Sequence, residues 1–222
     1  MKDTHQSWWQ QWLHLPQRSR LHTSLFQVHF WIGSMAGVYV TLMSLTGSIV
    51  VFENDFPQSR FMAWLVKFHT NLHAGPIGRI VNGIGGTGLT LLCLTGAIIW
   101  WPGVKYWRRS LQVDWRAHFP RFNWDLHSAL GFWALPLVFI WGVSATYFAF
   151  PQAFSFLFAL DPADRVTDQW LFRLSELHFG GFTRLTKALW AALGLVPGIL
   201  AFTGTFICCR RVIFKKPSNP YH

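Results

Sequence analysis

Four stretches of this chain are long, apolar and uncharged, and they restrict its fold more than any other feature. Each lacks Asp, Glu, Lys and Arg, and each exceeds the roughly 20 residues with which a helix crosses about 30 Å of hydrocarbon. Of the 222 residues, 51% are hydrophobic and only 13% are charged. We therefore predict an all-α membrane protein whose four transmembrane helices form a bundle. The stretches are Phe30 to Phe52, Ile80 to Val104, Leu126 to Leu160 and Ala188 to Cys209.

The boundaries of the membrane domain follow from these stretches. The third is too long for one span, and Pro151 is expected to end its helix. Residues 1–20 are predicted to be an interfacial amphipathic segment, because several tryptophans cluster there. Residues 21–211 form the predicted four-helix transmembrane domain, and residues 212–222 form a tail.

The distribution of positive charge predicts the orientation. Lys and Arg concentrate in residues 1–28, in residues 105–121 and in the tail, which all lie on the side that holds both termini. The positive-inside rule therefore predicts that both termini are cytoplasmic. The net charge of +10 follows largely from this bias, so it does not indicate nucleic acid binding. The three cysteines do not suggest a disulfide or covalent haem attachment.

The chain repeats itself. The first unit covers about 21–109 and the second about 119–211, and each contains two spans that enter the membrane from the same side. This pattern predicts two parallel two-helix repeats, related by an axis along the membrane normal. The matched positions are His29 and His127, Gly33 and Gly131, His73 and His178, and Arg79 and Arg184.

Four histidines at the starts of the spans are the candidate metal ligands. If the spans alternate in direction, His29 and His127 lie at the inner face and His73 and His178 at the outer face. Two facing imidazoles are the axial ligands of a six-coordinate b-type haem. A structural zinc site usually closes with four ligands, often thiolates, and no such set is present. The pattern therefore predicts two haem b groups, stacked across the bilayer.

Other histidines compete for these positions. His69 precedes His73 by four residues, so both could share one helical face. We prefer His73 because it aligns with His178, but His69 is an alternative outer ligand. His22 is the inner alternative, and His118 lies in a polar loop where solvation is expected.

Glycines and arginines near the histidines are candidate cofactor-binding residues. Gly33 and Gly131 follow His29 and His127 by one turn, where a small residue allows a flat macrocycle to lie against the helix. Arg79 and Arg184 stand at matched positions near the outer edge and could pair with haem propionates. Contact with lipid phosphate is the alternative for both arginines.

At these residues the chain resembles the PepSY-associated transmembrane family, over roughly residues 20–211. That family includes bacterial inner-membrane ferric-siderophore reductases, and it is associated with b-type haem and electron transfer to iron outside the cytoplasm. The resemblance implies His29, His127, His73 and His178 as ligands. Some members also carry a PepSY domain or a flavin reductase domain. Because this sequence has neither, the resemblance implies a minimal form of such a reductase. The motifs are His29-x3-Gly33, Leu45-Thr46-Gly47, Leu72-His73-Ala74-Gly75-Pro76-Ile77-Gly78-Arg79, Asp125-Leu126-His127-Ser128-Ala129-Leu130-Gly131 and Leu177-His178-Phe179-Gly180.

The expected function is that of an oxidoreductase in the bacterial inner membrane. A cytoplasmic flavin, flavoprotein or quinol would donate electrons to the inner haem. The outer haem would reduce a ferric siderophore or another periplasmic ferric chelate. Two alternatives remain, namely a quinone-coupled cytochrome with a non-iron acceptor and a haem-free scaffold subunit of a metal or siderophore uptake complex. The direction of flow is implied by the resemblance alone.

Overall fold

The computed structural model describes residues 8–161, 164–180 and 183–213. Within these ranges the chain is helical and contains no strand, which confirms the all-α prediction. Four segments are long and apolar enough to cross a membrane, namely 20–55, 75–100, 119–149 and 184–211. The α-helices are α1 (Trp8–His14), α2 (Arg20–Val50), α3 (Arg60–Asn71), α4 (Gly75–Trp100), α5 (Trp107–Ser110), α6 (Phe119–Ala149), α7 (Pro151–Leu157), α8 (Arg165–Phe179), α9 (Arg184–Gly194) and α10 (Val196–Ile213).

The long helices form a four-membered bundle. Both α4 and α10 pack against α2 and against α6, so α2 and α6 face each other diagonally. At one end of the bundle, α3 packs against α2 and α4, and α8 packs against α6. Side chains on α2 and α6 can therefore approach each other across the centre of the bundle.

The two predicted repeats are visible in the helices. The first span of each repeat, α2 or α6, has 31 residues. Each is followed by a shorter amphipathic helix, α3 or α8, and then by a second span, α4 or the α9–α10 pair. The predicted break at Pro151 is also present, because α6 ends at Ala149 and α7 begins at Pro151.

The fourth span is interrupted, which the sequence did not predict. Helix α9 ends at Gly194 and α10 begins at Val196. The Ser44 hydroxyl of α2 donates to the carbonyl of Gly194 and accepts from the N–H of Gly198 at 2.9 Å. Backbone polar groups at membrane depth need such partners, since no water is available in hydrocarbon. The buried hydroxyl of Ser44 therefore supports the break.

The N-terminal segment packs against the end of α4. The ring of Trp12 stacks on Trp101 with centroids 6.2 Å apart, and the N–H of Val104 donates to the carbonyl of Leu13. The first seven residues of the predicted interfacial segment, and residues 214–222 of the predicted tail, lie outside the described residues. Helix α10 continues to Ile213, two residues into the predicted tail.

Candidate cofactor site

Two of the predicted ligands face each other inside the bundle. The rings of His29 on α2 and His127 on α6 have centroids 6.5 Å apart and planes at 83°. Both side chains are half-buried. The diagonal placement of α2 and α6 thus brings together two residues that are 98 positions apart in the sequence.

A hydroxyl from a neighbouring span orients each of these rings. Nδ1 of His29 lies 3.0 Å from Oγ1 of Thr95, and Nδ1 of His127 lies 2.9 Å from Oγ1 of Thr203. Each hydroxyl donates its own hydrogen to the carbonyl four residues earlier in its helix, at 2.7 and 2.8 Å. The hydroxyl oxygen must therefore accept from the ring, so this network assigns the hydrogen to Nδ1. The lone pair on Nε2 is left free, as a metal ligand requires.

A second pair of histidines repeats this arrangement at the other end. Nδ1 of His69 lies 2.9 Å from the Thr46 hydroxyl, and Nδ1 of His178 lies 2.6 Å from the Ser144 hydroxyl. Both hydroxyls again donate to the carbonyl four residues earlier, at 2.8 and 2.7 Å. Burial lowers the pKa of His69 to about 4. Burial, and then the nearby His69, lower the pKa of His178 to about 3, so both imidazoles are neutral near pH 7.

The backbone of each outer histidine is also held by a span helix. The Asn82 side-chain amide donates to the carbonyl of His69 at 2.7 Å. The Trp141 indole N–H donates to the carbonyl of His178 at 3.2 Å. Because these carbonyls lie in the last turns of α3 and α8, the contacts fix the helix ends that carry the imidazoles.

The structure places His69, the alternative considered from the sequence, in the position predicted for His73. His73 is exposed, and its ring lies against Trp64 with centroids 5.0 Å apart. The reason is the position of each histidine relative to its helix end. His178 lies inside α8, two residues before its left-handed cap, whereas His73 follows the left-handed cap of α3 at Leu72. The similar segments 72–75 and 177–180 therefore place their histidines in different surroundings, one exposed and one half-buried.

The remaining candidate histidines do not occupy such positions. Nε2 of His22 lies 3.3 Å from the carbonyl of Ile99, and a carbonyl can only accept, so Nε2 of His22 carries hydrogen. His118 immediately precedes α6, at the N-cap position. In the described part of the chain no group of three or more His, Cys, Asp or Glu side chains gathers as a metal site. The four histidines held by hydroxyls are therefore grouped in twos and not in a larger cluster.

Glycines that follow the hydroxyl residues give three of the rings their space. Each of these glycines follows a threonine, and the recurrence of Thr-Gly within the spans was a signal for this role that our prediction did not use. Added Cβ atoms at these glycines would press on the Cε1 atoms of the rings. The distances would be 2.9 Å from Gly47 to His69, 3.3 Å from Gly96 to His29 and 3.1 Å from Gly204 to His127.

A large cavity surrounds the inner pair. Its volume is about 1460 Å³, and its wall includes His29 and His127. Gly33 and Gly131, the predicted cofactor-binding glycines, line the same cavity. Four arginines also line it, and they are Arg109, Arg121, Arg210 and Arg211.

The two arginines predicted to bind propionates do not line this inner cavity and lie toward the outer end of the bundle. Arg79 donates from Nε and Nη2 to the carbonyl of Phe148, at 3.2 and 2.6 Å. The Phe148 ring in turn lies 5.2 Å from His178, so Arg79 is close to the outer pair but already bonded to backbone. Arg184 is the exposed first residue of α9. Arg109 and Arg210, at the inner cavity, were not recognised from the sequence.

Comparison with known proteins finds a similarity over part of the chain. Residues 54–160 match the family described as "PepSY-associated TM region", a segment that contains the five helices from α3 to α7. The chain is also similar to the uncharacterized protein PA4219 of Pseudomonas aeruginosa, with 33% identity over 81 residues. That alignment covers 35% of this chain and 19% of the relative, so the chain matches only about a fifth of it. No solved structure matches the chain. Residues 54–160, a little under half of the chain, are thus similar to the PepSY-associated transmembrane region, and the four candidate spans indicate a multi-pass membrane protein.

Proposed function

We propose that this protein carries electrons across the bacterial inner membrane through two bis-histidine b-type haems, and that it reduces a ferric siderophore or another ferric chelate in the periplasm. One observation carries the proposal. Four imidazoles, in two pairs at opposite ends of the bundle, each donate from Nδ1 to a hydroxyl that cannot donate back. This leaves the Nε2 lone pairs of all four rings available, two at each end of the bundle.

The inner pair fits a metal bound between two imidazoles. Imidazole nitrogens bind metal ions at about 2 Å, so two rings that share one ion have centres roughly 6 Å apart. The observed separation between His29 and His127 is 6.5 Å. The adjoining cavity, with Gly33 and Gly131 in its wall, offers room for a macrocycle around the ion. The residues present therefore fit a haem.

The outer pair is suited to haem ligation because both of its imidazoles are neutral and oriented. His69 and His178 are neutral near pH 7, and each is held at both its ring and its backbone. Neutral imidazole is the ligating form, and a fixed second contact orients it. The proposed outer ligands are therefore His69 and His178, with His69 in place of His73.

A haem at each pair would supply a one-electron carrier whose potential depends on its ligands and on nearby hydrogen bonds. With two imidazoles holding each group, its chemistry would be electron transfer rather than binding of a further ligand. The hydroxyls of Thr95 and Thr203 hold the inner rings in the ligating tautomer. Those of Thr46 and Ser144 do the same for the outer rings.

The orientation of the path follows from charge. Arg109, Arg210 and Arg211 lie at the end of the bundle that carries the inner pair, and this end is proposed to face the cytoplasm. A flavin, flavoprotein or quinol would then donate to the inner pair, and the outer pair would face the periplasmic acceptor. The family resemblance supports the outward direction.

Absorbance spectra of the purified protein test the proposal. We expect oxidised and dithionite-reduced spectra of low-spin b-type haem, and a pyridine haemochrome assay should give about two haems per chain. The His29→Ala variant should retain the outer haem, and the His178→Ala variant should retain the inner one. A protein that binds no haem after expression with ample haem would contradict the proposal and favour the scaffold alternative.

Proteoliposomes test the path and its acceptor. With a reductant inside and a ferric chelate outside, the wild type should reduce the chelate, and either histidine variant should not. Replacing the chelate by a soluble quinone distinguishes the quinone-coupled alternative. Haem reoxidation by the quinone but not by the chelate would exclude the ferric reductase activity.

A further inference from the structure

Two tryptophans at the end of α4 have buried indole N–H groups without a partner. In the part of the chain that the structure describes, Nε1 of Trp100 and Nε1 of Trp101 have no hydrogen-bond acceptor. Both residues line the inner cavity. A buried donor that stays unpaired destabilises the protein, so such groups in native proteins usually have a partner or a function.

Three other tryptophans have indole N–H groups that are paired. The indole N–H groups of Trp133, Trp141 and Trp190 donate to backbone carbonyls at 3.3, 3.2 and 3.0 Å. Trp133 also lines the inner cavity, yet its N–H is satisfied by the carbonyl of Leu111. Position beside the cavity therefore does not by itself leave an indole unpaired.

Packing holds both unpaired rings in place. The Trp100 ring lies 4.3 Å from the Phe132 ring, and the Trp101 ring stacks on Trp12. Trp100 is the last residue of α4 and follows Thr95, the partner of His29, by five residues, and Trp101 comes directly after the helix. At about 1.5 Å per residue Trp100 lies about 8 Å closer to the inner end than this contact. That is comparable to the distance from the centre of a porphyrin to the ends of its propionate arms.

The charge around the cavity indicates what the two donors bind. Arg109 and Arg210 line the same cavity, and within the described residues neither pairs with an acidic side chain. An indole N–H is a donor only, so the group it meets must be an acceptor. Donors and cations together favour a carboxylate over an uncharged carbonyl.

We infer that the indole N–H groups of Trp100 and Trp101 donate to the carboxylates of the ligand in the inner cavity, with Arg109 as their cationic neighbour. This inference rests on the proposed function, under which the carboxylates are the propionates of the inner haem. The contacts direct the propionates toward the inner end of α4. The two tryptophans thus select the orientation of the macrocycle and contribute to its affinity.

Haem titration of the haem-free protein in detergent tests the inference. Trp100→Phe and Trp101→Phe remove an N–H and keep a ring, and Trp31→Phe, at an exposed ring outside the cavity wall, is the matched control. Each protein is titrated with haem and with haem dimethyl ester, which lacks the carboxylates. We expect Trp100→Phe and Trp101→Phe each to weaken inner haem binding about tenfold, because hydrogen bonds to charged groups contribute on this scale. The ester should bind both variants and the wild type alike, and Trp31→Phe should bind haem as the wild type does.

Haem content at the outer pair reports whether each variant is folded, because no outer ligand contacts these tryptophans. Wild-type affinity for haem in the Trp100→Phe Trp101→Phe double variant would overturn the inference. An equal loss of affinity for haem and for its ester would also overturn it, since the indoles would then act by packing alone. A wild type that binds no haem would overturn the proposed function itself.

Discussion

The hydroxyl oxygen of Thr203 lies 2.9 Å from Nδ1 of His127, and this contact joins α10 to α6. Since that hydroxyl also donates to the carbonyl of Ile199, it can only accept from the ring. The contact therefore determines which nitrogen of His127 carries hydrogen and which is free. A threonine on one span thus controls the chemistry of a histidine on another, and the same relation recurs at the other three histidines.

Removing this acceptor should weaken the inner site. Thr203→Val keeps the shape of the side chain but leaves Nδ1–H of His127 without its partner. Loss of a contact behind a metal ligand typically lowers affinity 10- to 100-fold. We expect weaker haem binding and an altered midpoint potential of the inner haem, measured by haem titration and by redox titration. Thr203→Ser should restore both, whereas unchanged values in Thr203→Val would show that the hydroxyl does not orient the ring.

The two candidate outer histidines can be separated by paired substitutions. His69→Ala should lower the haem content from about two to about one per chain, because it removes the imidazole that lies close to His178. His73→Ala should leave the content unchanged, because that side chain is exposed and lies against Trp64. The pyridine haemochrome assay measures both. Loss of haem in His73→Ala with retention in His69→Ala would reverse the assignment.

A methyl group at Gly47 should disturb the outer site. Its Cβ would lie 2.9 Å from Cε1 of His69, so the ring would have to move. We expect Gly47→Ala to reduce the outer haem content and leave the inner haem in place. Gly88→Ala is the control, since the nearest atom to its Cβ, on Ile32, lies 3.8 Å away. Equal outer haem content in both variants would show that this close contact does not matter for ligation.

The interruption of the fourth span should depend on one hydroxyl. Ser44→Ala leaves the carbonyl of Gly194 and the N–H of Gly198 without their partner. The expected loss is about 1–3 kcal/mol of stability, which thermal unfolding in detergent would detect. Thr41→Val, which removes only a hydroxyl bonded within α2, should change the unfolding temperature less. An equal effect of the two substitutions would argue against a role for Ser44 in supporting the break.

Much of the fold could be predicted because the relevant signals are local. Apolar length located the spans, and Pro151 located the end of α6, since a proline cannot continue a helix in its interior. The break between Gly194 and Val196 also has a local signal, Pro197 in the first turn of α10, which our prediction did not use. The sequence could not show which group satisfies the broken backbone, because Ser44 lies on a different helix.

The candidate site, like the fold, could be predicted from the sequence only in part. The repeat of histidines, glycines and Thr-Gly pairs was visible in the sequence and indicated two matched sites. Only tertiary packing brought His29 to face His127 and placed His69 rather than His73 near His178. Ring direction depends on where a helix ends and on hydroxyls supplied by other helices. At the inner pair these hydroxyls come from residues 66 and 76 positions away, a distance over which local sequence patterns carry no information about orientation.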